Sequence, residues 1–171
     1  MGDLKGTKIF FTGATTGLGK ISALKAAAHG ATVLVAARDL QKGEALQNQF
    51  KTHFPDAKGA IALIPCDLSD LKSVNKACDL ILSKHEKLDI IVNNAGTWNF
   101  SFTETEDGIE DTFQVNVLSP ILIIQRLLPL LEKSKTAKVI NTASGLHQGT
   151  INFTDIEYRN GFSGFKAYRQ S

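Results

Sequence analysis

Along the chain, short and nearly uninterrupted apolar runs alternate with longer stretches whose apolar positions recur at helical spacing. The short runs are Lys8–Thr12, Thr32–Ala36, Ala60–Pro65, Leu88–Val92 and Lys138–Thr142. They are too brief for helices and too uniformly apolar for strands with one wet face, which predicts strands buried on both sides. Helices are predicted from about Leu18 to His29, ending at Gly30, and over Leu40–Phe54 with an interruption at Gly43. A third covers Leu71–Lys84, where Leu71, Val74, Cys78 and Ile81 mark one face. Thr105–Leu131 reads as mostly helical, with a break or bend near Pro120 and a stop near Pro129, because proline removes a backbone donor. Apolar strands separated by helices predict an α/β fold, with a parallel sheet covered on both faces. Right-handed crossovers make that sheet doubly wound and Rossmann-type. With no repeat and no linker, residues 1–171 read as one domain. From Gly145 to Ser171 the pattern weakens into a loop-like stretch carrying Phe153, Tyr158, Phe162 and Phe165. Long irregular segments after a strand often carry function.

Charge and composition remove several function classes. The 19 basic residues are scattered and the net charge is only +2, so no nucleic-acid partner is expected. No apolar tract reaches roughly 18 residues, so no membrane span is expected. Met1 stands too close to the first apolar run, Ile9–Phe11, for a signal peptide. Cys66 and Cys78 lack a histidine at ligand spacing, which argues for reduced thiols in a cytoplasmic protein and against a metal site.

The most specific motif lies between the first strand and the first helix: Thr12-Gly13-Ala14-Thr15-Thr16-Gly17-Leu18-Gly19. Glycines there permit a tight turn, close approach of backbone to phosphate, and close packing of helix on strand. The helix N-terminus then offers free N–H groups and a partial positive charge to a pyrophosphate. The spacing departs from G-x-G-x-x-G, and the Gly-Lys-Ser/Thr triplet of a P-loop is missing. A glycine-rich turn without a ligand is the plain alternative.

Further along stand Cys66-Asp67-Leu68, then Asn93-Asn94-Ala95-Gly96, then Asn116, Ser144 and Tyr168. With the glycine loop, and in this order, they resemble the short-chain dehydrogenase/reductase family over essentially the whole chain. Asn141-Thr142-Ala143-Ser144-Gly145-Leu146-His147 and Ala167-Tyr168-Arg169-Gln170-Ser171 are similar to its retinol-dehydrogenase-like group. The resemblance implies cofactor binding by Gly13, Thr15, Thr16, Gly17, Leu18 and Gly19, with Asp67 and Leu68 by the adenine and Asn94, Ala95 and Gly96 by the ribose. A cap for Asp67 and a simple turn for Asn94-Ala95-Gly96 are their structural alternatives. The position that selects NAD through a carboxylate is Ala37 by resemblance, and Arg38 follows. A guanidinium with no carboxylate to oppose it favours a 2′-phosphate, so NADP is expected over NAD. Asp39 complicates this, as a partner for Arg38 or a helix N-cap.

The resemblance also implies carbonyl–alcohol interconversion on a small, apolar substrate. Tyr168 is then the acid/base, Ser144 steadies the substrate oxygen, and Asn116 holds a water in a proton relay. An isolated tyrosine titrates near a pKa of about 10; the family lowers it with a lysine four residues later. In this sequence that position lies just past Ser171, and the family's later strands are lacking too. The 171 residues alone are therefore expected to show impaired catalysis and exposed apolar surface. A truncated, non-catalytic nucleotide-binding or regulatory protein is the alternative. His147 beside Ser144 invites a hydrolase reading, but no nucleophile elbow surrounds the serine. The apolar helix around Val115–Leu128 is expected either to line the core or to face a partner subunit in a homo-oligomer.

Overall fold

The structure is a computed structural model that describes residues 3–147 and 149–171. Five parallel strands form one sheet: β1 (Lys8–Phe11), β2 (Thr32–Ala37), β3 (Ala60–Pro65), β4 (Ile90–Asn93) and β5 (Lys138–Asn141), in the order β3-β2-β1-β4-β5. The helices are α1 (Gly17–Ala28), α2 (Leu40–His53), α3 (Leu71–Lys84), α4 (Asp111–Leu131) and α5 (Gly164–Gln170). The chain runs outward from β1 to β3 and then returns to place β4 on the other side of β1. That reversal opens a crevice at the C-terminal ends of β1 and β4, the usual ligand position in such sheets.

Side chains alternate between two helical layers because successive strand residues point to opposite faces. Phe10, Leu34, Ile64 and Ile91 pack with Val74 and Ile81 of α3 and with Ile123 and Leu127 of α4. Ile9, Phe11, Val33 and Val35 pack on the opposite face with Ala23 and Leu24 of α1 and with Leu46 and Phe50 of α2. Both faces are apolar, which is why these strands read as continuous runs. β5 departs from the expectation of burial. It is the edge strand, all four of its residues are exposed, and Val139 and Ile140 remain 39% and 46% accessible.

Three further departures have local causes. α2 runs through Gly43 without interruption, because the glycine serves packing: a Cβ there would lie 2.9 Å from a Leu63 methyl. The predicted helical region starts at Asp111 rather than Thr105, since residues 104–110 form a turn closed by a bridge between Glu104 and Glu110. The buried Glu110 carboxylate then caps α4, accepting from the Thr112 and Phe113 amides. In place of a break at Pro120, residues Gln114–Leu118 widen into a π turn in which Ser119 N–H donates to the Gln114 carbonyl. The wider turn accommodates a proline that lacks a donor and crowds the preceding carbonyls. Pro129 does not stop α4, which continues to Leu131; the carbonyl it orphans belongs to the exposed Gln125. α4 is long and apolar enough to cross a membrane by length and composition. Here its Ile123, Leu127, Leu130 and Leu131 lie in the core, while Ile121 and Leu128 face outward.

The lower end of the sheet is tied by Asp89, only 3% exposed. Its carboxylate accepts from the Lys8 amide (2.8 Å), Ser134 Oγ (2.6 Å) and Lys87 Nζ (3.1 Å). Burial pushes its pKa up, but the bonds from Ser134, the Lys8 amide and Lys87 outweigh burial and hold it below the ordinary value. The resulting stabilisation is fully present above the unfolded-state value of about 3.9 and is lost as pH falls through the lower folded value. Asp89→Asn is expected to cost about 1–3 kcal/mol at neutral pH, since it weakens three bonds to a buried group. Urea denaturation should show that deficit shrinking in acid; a variant as stable as wild type at neutral pH would refute the tie.

Candidate cofactor and active site

β1 runs straight into the glycine loop. Gly13 (φ +67°) and Gly17 (φ +55°) take left-handed conformations that side chains rarely adopt. Space is as decisive as conformation. A Cβ on Gly19 would lie 2.2 Å from the Gly13 carbonyl oxygen, and one on Gly13 would lie 2.7 Å from Ala95 Cα. The loop therefore presses against the turn that follows β4. Asn94 Nδ2 donates to the Gly13 carbonyl (3.1 Å) and the Thr12 carbonyl (3.3 Å), and the Asn94 and Ala95 amides both donate to Thr12 Oγ1 (3.1 Å each).

The helix N-termini differ in an informative way. α2 is capped by Asp39, α3 by Asp70 with a second carboxylate from Asp107, and α4 by Glu110. α1 begins after Thr16 with no side-chain cap and no acidic residue in its first turn, as does the short α5 after Ser163. The first N–H groups of α1 are thus left for another acceptor, and the dipole favours an anion there.

These elements enclose a cavity of about 560 Å³. Among the cofactor candidates, Gly13, Thr15, Thr16, Leu18 and Gly19 line it from the loop, and Arg38 lines it from the end of β2. Asp67 and Leu68 line it after β3, and Asn94, Ala95 and Gly96 after β4. Gly17 does not line it; it turns the chain into α1. Asp39 is committed to α2, accepting from the Lys42 amide (3.2 Å) with Lys42 Nζ at 3.6 Å. Arg38 is left exposed with no ion pair among the described residues. Asp67 also closes its own turn, accepting from the Ser69 amide and hydroxyl, so the structural alternative for it holds beside its place in the cavity.

Sequence reasoning missed Lys42, Thr97, Asp111 and Val115, which also line the cavity. Lys42, one helical turn beyond Arg38, was detectable by spacing. Asp111 carried no local signal. Cys66 lines the cavity as well, but burial pushes its thiol up to about 12 and that of Cys78 to about 11, so both are inert nucleophiles.

The three catalytic candidates lie on different elements, and none of them lines the cavity itself. Asn116 sits in the π turn of α4, where its Oδ1 accepts from the Thr97 amide (2.8 Å) and its Nδ2 donates to the Thr97 carbonyl (3.0 Å). The same Nδ2 reaches Ser171 Oγ (2.9 Å), which in turn donates to the Tyr168 carbonyl (3.0 Å). Asn116 and the helix carrying Tyr168 are thereby joined. Ser144 follows β5 and is half-buried; its Oγ accepts from the Leu146 amide (3.1 Å). Among the described residues no hydrogen bond joins Ser144 to Tyr168 or Asn116. The segment expected as loop between them ends in α5, which is laced back to it: Asn152 N–H donates to Gln170 Oε1 (2.7 Å), and Gln170 Nε2 donates to the Ile156 carbonyl (2.8 Å).

Comparison with known proteins agrees with this architecture. The chain is 36% identical over 170 residues to retinol dehydrogenase 12 of Mus musculus, covering 98% of this chain and 53% of that protein. It spans about half the length of the curated relatives it matches. An uncharacterized protein from Mycobacterium paratuberculosis superposes with a TM-score of 0.82 at 31% identity, over 99% of this chain and 58% of that one. RhlG of Pseudomonas aeruginosa, solved as an NADP active-site complex, superposes with a TM-score of 0.75 at 29% identity, over 99% and 64%. Residues 7–154 match the short chain dehydrogenase family model. The chain belongs to the short-chain dehydrogenase family.

Proposed function

We propose that the protein is an NADP-dependent oxidoreductase that interconverts an alcohol and a carbonyl by hydride transfer, with Tyr168 as acid and base. One observation carries this reading: the uncapped N-terminus of α1 opens on a cavity lined by Gly13, Thr15, Thr16, Leu18 and Gly19, where the two glycines let the loop, α1 and the turn after β4 press together. Such a cradle suits a pyrophosphate. Arg38 suits the additional 2′-phosphate of NADP, because a guanidinium pairs with phosphate through two donors and Ala37 brings no carboxylate to repel it. The NADP bound to RhlG supports the same choice.

When bound, a nicotinamide cofactor would supply or accept the hydride at the substrate carbon. The chain's own residues do the rest. The glycine loop would hold the pyrophosphate, Asp67 and Leu68 would flank the adenine, and the Asn94–Gly96 turn would border the ribose. In reduction the Ser144 hydroxyl donates to the substrate oxygen and Tyr168 releases its proton to the alkoxide; in oxidation the Tyr168 phenolate takes that proton back. Asn116 keeps the loop after β4 in place and holds the water of the proton relay. Retinol dehydrogenase 12 takes its name from an apolar alcohol, and exposed Trp98, Phe100 and Phe165 beside Tyr168 suit a substrate of that kind. The two free, buried thiols fit a reducing compartment such as the cytoplasm.

Turnover is the test. NADPH absorbance should fall in the presence of apolar aldehydes or ketones, and NADP should be reduced with the matching alcohols. Residues 1–171 alone are expected to turn over slowly; a longer form of the protein that binds nucleotide but turns over none of these substrates would refute the catalytic reading.

A further inference from the structure

Trp98, the sole tryptophan of the chain, is the hub of an aromatic cluster next to the cavity-lining Thr97. Its indole stacks on Tyr168 with centroids 5.2 Å apart and planes 15° apart, and contacts Phe100 (5.7 Å) and Phe165 (5.9 Å). The residues on both sides of Trp98 are held. Thr97 is held at its amide and its carbonyl by Asn116. On the other side, Asn99 Nδ2 donates to Asp111 Oδ2 (2.7 Å).

Gly164 presses against the Asn99 carbonyl so closely that a Cβ would lie 1.8 Å from its oxygen. Gly164 opens α5, and Tyr168, four residues later, lies one turn on along the same face. Packing Gly164 on Asn99 therefore brings the Tyr168 ring onto Trp98. Among the described residues nothing hydrogen-bonds the Tyr168 hydroxyl, and the ring is held by stacking. The O–H proton is therefore not donated to any described protein group and stays available to a substrate oxygen. Offset stacking restrains the ring and leaves the hydroxyl open.

We infer that Trp98 is the positioning residue for Tyr168: its indole face fixes the phenol ring, and with it the direction of the hydroxyl. The catalytic consequence rests on the acid/base reading of Tyr168; the stacking does not.

A tyrosinate quenches an adjacent indole, so the emission of the single tryptophan reads the ionisation of Tyr168. Alkaline titration of the folded protein is expected to show a drop in emission. That step should be lost in Tyr168→Phe, which keeps a ring on the indole, and kept in Tyr158→Phe, which removes the other tyrosine. In NADPH-dependent turnover, Trp98→Ala is expected to lower kcat roughly tenfold through misplacement of the phenol, with KM for the nucleotide unchanged and Trp98→Phe restoring the rate. A step that survives in Tyr168→Phe, or a Trp98→Ala variant with wild-type kcat, overturns the inference. A longer form of the protein that turns over no substrate defeats the oxidoreductase reading instead, and the emission titration still decides the stacking.

Discussion

Gly19→Ala is expected to abolish nucleotide binding, with affinity falling by roughly a hundredfold or more, about 3 kcal/mol. The added methyl carbon would sit 2.2 Å from the Gly13 carbonyl oxygen and 2.5 Å from Asn94 Nδ2. Neither neighbour can yield cheaply. The Gly13 oxygen belongs to backbone held at φ +67°, and Asn94 is fixed by bonds to the Thr12 and Gly13 carbonyls and to Thr142. α1 must therefore move off the loop, which misaligns its free N–H groups with the pyrophosphate. Overpacking of this kind costs about 1–3 kcal/mol, or a Tm lower by roughly 2–12 °C in a domain of this size. Calorimetric titration and thermal unfolding read the two effects separately. Gly145→Ala is the control: a Cβ there meets nothing within 4 Å, and binding should be unchanged. A Gly19→Ala protein that binds NADPH normally would show that the loop does not cradle the nucleotide.

The second large effect is expected at Tyr168. Replacing a group that transfers a proton in the transition state costs roughly 10²–10⁴ in rate, and Tyr168→Phe should lower kcat by that factor. The variant keeps the ring against Trp98 and the contacts of α5, so fold and nucleotide affinity should be unaffected. Single-turnover hydride transfer is the measurement of choice, because it isolates chemistry from product release. Ser144→Ala should lose less, since the substrate oxygen retains its partner in Tyr168. Tyr168→Phe with wild-type hydride transfer would remove the tyrosine from the mechanism.

Much of the fold is written in local pattern. Strands flanked by two apolar layers have no polar face, so Ile9–Phe11 and Val33–Val35 are visible as runs. The glycine loop is legible for a related reason: its requirements are steric and local, so they fall on consecutive residues. What escaped detection depends on distant partners. α5 has seven residues and little periodicity; it is held by Gly164 on Asn99 and by Gln170 on Asn152 and Ile156. Asp89 looks like a solvated charge until Lys8, 81 positions away, and Ser134, 45 positions away, are folded onto it. Pro120 reads as a break because the sequence does not announce the π turn that absorbs it. The role of Asp39 was open until the Lys42 amide settled it as the cap of α2.

The central claim is that the glycine loop and Arg38 together form an NADP site. Titrating the protein with NADPH and NADH, alongside Arg38→Ala, tests it most directly. NADPH should bind at least tenfold more tightly than NADH, since a charge-assisted bond contributes about 1.5–3 kcal/mol. Arg38→Ala should bring the two affinities together without weakening NADH. Binding of neither nucleotide, or equal affinities in the wild-type protein, would contradict the account.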